Sequence, residues 1–145
     1  MATADIIVAL WGGADVLGRR SIQSENDLIP LLRQGLPFVA LESTMAAFAL
    51  SREEVAAVLD LPLRTFARRK KEQRLAADES DRLYRLTRVI THAERVFHSR
   101  VKATEWLHRP NRALNGAIPL QLLDNEIGAI QVDDVLGRIE HGVYS

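Results

Sequence analysis

At 145 residues the chain is long enough for one ordinary domain or two very small ones. Hydrophobic residues make up 47% and charged residues 26%, with no cysteine, which excludes a disordered chain, a disulfide framework, a thiolate metal site and a cysteine nucleophile. The net charge is zero but unevenly placed: 64–74 holds six basic residues against one Glu, and 115–145 holds five acidic residues against one Arg, a division that predicts two different partners.

No uncharged run is longer than Ala113–Leu123, far short of the roughly 18 apolar residues that span a bilayer. Asp5 stands where a secretory leader carries basic residues, and the apolar run around it is short. The expectation is a cytoplasmic protein with no membrane partner.

Ile6–Leu17 is apolar but interrupted at Gly12 and Gly13, and reads as a helix with a loose middle. Asn26–Arg33 reads as a short helix stopped by Gly35-Leu36-Pro37, a capping glycine followed by a breaker. Val39–Leu50 resumes helical spacing, with Leu41, Met45, Phe48 and Ala49 on one side.

The next stretch, "LSREEVAAVLDLPLRTFARRK", carries the most information. Ser51 is placed to cap a helix and Glu54 completes a capping box, with Leu50 and Val55 as the apolar staple around it. Val55 and Leu59 face a core, and Ala56 is small enough for close helix contact. The helix stops near Asp60, a residue type that tolerates the left-handed region. Leu61 buries in the turn, Pro62 opens the next helix, and Phe66 packs back on Val55 and Leu59. Two short helices joined by a tight turn make a helix-turn-helix, whose second helix enters the major groove of DNA. Arg64, Thr65, Arg68 and Arg69 are the candidate base contacts, since arginine pairs bidentately with guanine. Lys70, Lys71 and Arg74 are the candidate phosphate contacts. A helical hairpin with a solvated basic face is the plainer alternative.

Asp78–Arg100 is the longest periodic segment. Leu83, Leu86, Ile90, Ala93 and Phe97 form one apolar stripe, which suits either a core or the seam of a homodimer. Val101–His108 continues as helix up to Arg109-Pro110-Asn111, Pro119 starts a short helix, and Val132–Ile139 is the last, ended by Gly142. No strand-like alternation stands out, so the fold class is all-α. The four histidines have no metal-like spacing, Ser51 has a capping role and no base near it in sequence, and Gly12–Gly13 lacks a phosphate-loop context. Asp133 and Asp134 are adjacent, point to different sides of a helix and make a poor acid–base pair. No catalytic constellation and no cofactor site is expected.

The segment from Thr104 to Ser145 resembles the Xre/MbcA/ParS antitoxin family. The likeness rests on Trp106-Leu107, Pro110-Asn111, Leu114, Gly116, Pro119, Leu122-Leu123, Glu126, Gly128, Val132, Leu136, Arg138-Ile139 and His141-Gly142-Val143-Tyr144. Upstream, "GLP", the helix-turn-helix and "ESDRLYRLTRV" are similar to the same family. Asp60, Pro62 and Asn125 depart from it, standing where Gly, Ser and Thr are common. The resemblance implies an Xre-like helix-turn-helix bundle followed by a small helical toxin-binding domain. We divide the chain as 1–36, an N-terminal helical segment; 37–100, the helix-turn-helix region with its long connecting helix; and 101–145, the toxin-binding domain.

The resemblance further implies that the partner is a RES-domain toxin that depletes NAD, that the antitoxin blocks the NAD cleft, and that the complex represses its own operator DNA; the Leu83–Phe97 stripe and the symmetry of most operators add the expectation of a homodimer. The toxin-facing residues the resemblance suggests are Asp133, Asp134, Arg138, Glu140, His141, Gly142, Val143, Tyr144 and Ser145. Tyr144 offers a rigid amphipathic aromatic of the kind enriched at interfaces. The Ser145 carboxylate offers an anion where a nucleotide phosphate would bind. The alternatives are that Val143 and Tyr144 fold back on the chain's own core, or that the whole is a plain dimeric repressor with no toxin partner.

Overall fold

A computed structural model describes residues 3–18 and 22–142, and every regular element among them is helical. The helices are α1 (Thr3–Leu10), α2 (Ile29–Gln34), α3 (Phe38–Phe48), α4 (Arg52–Val58), α5 (Leu63–Glu72), α6 (Ala77–Phe97), α7 (Arg100–Leu107) and α8 (Glu126–Glu140). Short 3₁₀ turns at Glu25–Leu28, Arg112–Leu114 and Pro119–Leu122 join them. No helix among the described residues is long and apolar enough to cross a membrane.

The long helix α6 is the spine, with α1, α2, α7 and α8 packed against it. Leu83, Leu86, Ile90 and Ala93 are all 0% exposed and Phe97 is half-buried, so the stripe read from the sequence is core up to its last residue and offers no continuous seam to a second copy. Trp11 fixes α1 to the spine: its buried indole donates to Thr87 Oγ1 at 2.9 Å, and Thr87 donates in turn to Leu83 O. On the same side, Tyr84 donates to Glu25. Burial and then that carboxylate push its phenol up to about 12.

The first half departs from the sequence reading in two places. Helix α1 ends at Leu10 rather than running to Leu17, because the chain turns at Gly12 and Gly13. The expected Asn26–Arg33 helix is split into a 3₁₀ turn and α2, with Pro30 at the head of α2, where a missing N–H costs least.

The stop at Gly35 does more than end α2. A Cβ there would lie 2.1 Å from Leu75 O, so only glycine fits. That close approach lets 35–38 pair with the strand of chain leaving α5. Leu75 N donates to Leu36 O at 2.9 Å, Phe38 N donates to Gln73 O at 3.1 Å, and Leu36 N donates to Ser80 Oγ at 2.7 Å.

The second half departs in two more. The long helix does not run to Arg100. It breaks at His98, which is left-handed at φ 52°, and Ser99 caps a separate α7 by accepting from Lys102 N. Phe97 and Trp106 then meet across the break with ring centroids 5.7 Å apart. The last helix begins six residues before Val132, at Glu126, because Asn125 caps it by accepting from Gly128 N at 2.8 Å. Gly128 is required there, since a Cβ would lie 1.9 Å from Leu122 O.

Candidate functional site

Helices α4 and α5 form the expected two-helix unit, and local chemistry accounts for each end. Ser51 N donates to Glu54 Oε1 at 2.8 Å and Glu54 N donates to Ser51 Oγ at 3.0 Å, a complete capping box. At the other end Leu61 N donates to Ala56 O at 2.8 Å and Asp60 N to Ala57 O at 3.3 Å, the paired bonds of a Schellman stop. Asp60 takes the left-handed position at φ 51°. An aspartate there carries a steric cost that glycine does not. Asp60→Gly should therefore stabilise the fold by about 1 kcal/mol, and thermal unfolding should show the midpoint rising by roughly 2–4 °C. No rise would mean that the Asp60 side chain offsets its own strain.

Phe66 is buried at the base of α5, edge-on to Phe38 at 5.2 Å between centroids, a partner in α3 that sequence spacing did not suggest. With that face anchored, the exposed side of α5 carries Arg64, Ala67, Arg68 and Lys71, at steps of three, one and three. Thr65 is half-buried beside them. Arg64, Arg68 and Lys71 make no ion pair with the described residues. Lys70 lies 3.9 Å from Glu42 in an exposed pair.

One of the arginines expected on DNA is turned inward. Arg69 donates from Nε to Glu79 Oε1 at 2.8 Å and pairs through Nη1 with Glu72 at 3.1 Å. The Glu79 bond holds its guanidinium more firmly protonated than usual. Glu79 is 5% exposed and also accepts from Ala76 N, at the start of α6. Arg69 is thus the cation that makes a buried carboxylate tenable, and its assignment as a base contact is corrected. Arg74 stays exposed, and its Nη1 donates to Gly35 O at 2.7 Å at the α2–α3 corner.

Helix α8 lies parallel to the second half of α6, joined by a ladder of charges beside their apolar contact. Glu126, Asp133 and Glu140, spaced by seven, meet Arg85, Arg88, His92 and Arg95. The closest rungs are His92 Nδ1 to Asp133 Oδ1 at 3.1 Å and Arg88 Nη2 to Asp133 Oδ2 at 3.3 Å. Glu140 reaches Arg95 Nε at 3.5 Å and His92 Nε2 at 3.7 Å. Asp133 and Glu140, expected to face a toxin, also pair with α6, because at this spacing their stripe borders that seam, and Glu140 stays exposed beside it. Asp134 points the other way and is exposed, in accord with the adjacent-residue argument.

The outward side of α8 differs from the expected acidic one. Ile127 is 71% exposed and Ile130 48%, and the same side continues through Asp134, Arg138 and His141 to Gly142. Asp133, Asp134, Gly137, Arg138 and His141 line a shallow open groove there. Val143, Tyr144 and Ser145 lie outside the described residues. The two isoleucines were missed, although a helical wheel started at Asn125 sets them opposite Val132 and Leu136.

The two units also touch directly: the Arg100 guanidinium of α7 lies over the Phe48 ring of α3, 5.2 Å from its centroid. His108, ending α7, has Nε2 2.8 Å from Glu54 Oε2 in the cap of α4 and Nδ1 2.7 Å from Thr104 O.

A helix-turn-helix with an outward arginine stripe, fixed through one spine to a small helical unit with an exposed apolar helix face, defines a two-part helix-turn-helix protein. Residues 27–88 match the family model of the antitoxin Xre-like helix-turn-helix domain. Residues 92–142 match that of the antitoxin Xre/MbcA/ParS C-terminal toxin-binding domain. The two matches meet within α6. The chain is 33% identical over 117 residues to an antitoxin Xre of Photorhabdus laumondii, covering 79% of each chain. It is 31% identical over 120 residues to an antitoxin Xre of Yersinia enterocolitica, covering 81% of each. An antitoxin Xre of Pseudomonas putida is 40% identical over 83 residues, 57% of this chain and 52% of that one. The chain belongs to the Xre family of antitoxins.

Proposed function

We propose that this antitoxin neutralises a cognate RES-domain, NAD-depleting toxin by covering its active-site cleft with α8 and the residues after it, and that the complex represses its own operon through α5. The observation that carries this reading is the shared spine. Arg69–Glu79 locks α5 to the start of α6, and the charge ladder locks α8 to its second half. One rigid helix thus carries a basic surface and an apolar one, as a protein that holds a toxin and DNA together requires. The stripe on α6 being core, a homodimer on paired half-sites must be joined elsewhere, either by another surface or by the toxin itself.

The test uses the product of the adjacent reading frame, with NAD consumption as the readout. Full-length antitoxin should suppress consumption. Truncation after Glu140 keeps every rung of the ladder and should restore most of it. If the truncated chain suppresses as well as the full one, covering rests on α8 alone. If neither chain alters NAD loss, or the neighbouring protein consumes none, the RES reading is wrong.

A further inference from the structure

Leu63 is the first residue of α5 and stands 46% exposed, while Leu61, two residues earlier, is 2% exposed in the core. The turn therefore had an apolar side chain to bury and buried Leu61. Leu63 is left at the leading end of the helix. One turn on, Ala67 is exposed at the adjacent position. The two form a narrow apolar strip with Arg64, Arg68 and Lys71 beside it, none of them in an ion pair with the described residues.

We propose that Leu63 reads a thymine methyl group in the major groove and is a specificity determinant of the operator. This rests on the reading of α5 as a DNA-recognition helix. The amino-terminal residues of such a helix approach the base edges most closely. Among the four bases only thymine presents an apolar group there, and small or apolar side chains are its partners. The cations beside the strip favour DNA, because phosphates and guanine edges pair with all three while the strip meets an apolar group in the groove. Ala67, with only a methyl group of its own, leaves room for the helix to lie close to the base edges.

The experiment isolates that methyl. A duplex enriched from a random pool by the full-length chain is resynthesised with uracil in place of each thymine in turn, which removes the methyl and keeps every hydrogen bond. One thymine in each half-site should lose about fourfold in affinity, the worth of one buried methyl-sized group. In Leu63→Ala the same substitution should have no further effect. If every uracil duplex binds like its parent, the assignment is overturned while DNA binding stands. If Leu63→Ala remains as sensitive to uracil as the unaltered chain, another side chain reads the methyl and the assignment to Leu63 is overturned. If the pool yields no enriched duplex, the DNA-recognition reading itself fails, and this proposal with it.

Discussion

Arg69→Ala should lower the stability of the protein by about 3 kcal/mol, the scale expected when one partner of a buried ion pair is removed. The cost comes from Glu79. Its carboxylate is 5% exposed, and among the described residues only the Ala76 N–H would still donate to it once Arg69 is removed. Denaturant unfolding should show the midpoint falling. Arg69→Ala combined with Glu79→Gln should recover part of the loss, because an uncharged amide is far less costly to leave half-satisfied. Arg64→Ala with Arg68→Ala should behave in the opposite way. Both side chains are exposed, so stability should change by no more than about 0.5 kcal/mol for each. Operator affinity should fall, since one bidentate base contact is worth roughly 1–3 kcal/mol. A protein changed at both Arg68 and Arg69 would confuse the two effects. Should Arg69→Ala unfold at the same midpoint while losing DNA affinity, the inward assignment of Arg69 is wrong.

What the sequence discloses of this fold is what short-range chemistry controls. Ser51 and Glu54 announce α4 because a capping box needs only three residues of separation. Asp60 marks its end because few non-glycine residues accept φ near 51°. Gly35 is visible as a stop, although the reason for it, the Leu75 carbonyl in the space of its missing Cβ, lies forty residues away. The break at His98 has neither glycine nor proline to signal it, so the apolar stripe of α6 appeared to continue. Ser99 was the sign that a new helix begins there.

The surfaces were less legible than the elements. A run of six cations looks like one basic face until tertiary partners divide it. Arg69 finds Glu79 across the α5–α6 corner, Lys70 lies near Glu42, and Arg64, Arg68, Lys71 and Arg74 remain exposed without ion partners among the described residues, Arg74 donating to the Gly35 carbonyl. On α8 the acidic residues at 126, 133 and 140 fall on one stripe, but that stripe gains meaning only beside Arg85, Arg88, His92 and Arg95. The acidic excess of the tail pointed to a partner; pairing across forty residues ties 126, 133 and 140 to the fold as well. The same ladder turns the rest of α8 outward, and so exposes Ile127 and Ile130.

Ile127→Asp together with Ile130→Glu should weaken toxin binding by about a hundredfold, or about 3 kcal/mol. Two exposed isoleucines on a helix within a toxin-binding domain are the natural apolar centre of its interface, and a carboxylate pressed against an apolar partner surface has no means of satisfaction. The free protein should tolerate both changes. Neither side chain contributes to the core, and Ile127 sits in the first turn of α8, where an acidic residue favours the helix dipole. Circular dichroism and the unfolding midpoint should therefore stay close to those of the unaltered chain. Operator affinity of the free chain, where measurable, should not change, because α5 and its Arg69–Glu79 anchor lie on the other half of the spine. Calorimetric titration of the toxin measures the loss directly. If the double variant binds toxin as tightly as before, the outward side of α8 is not the contact. The groove from Asp134 to His141, or the residues beyond Gly142, would then have to carry the interface alone.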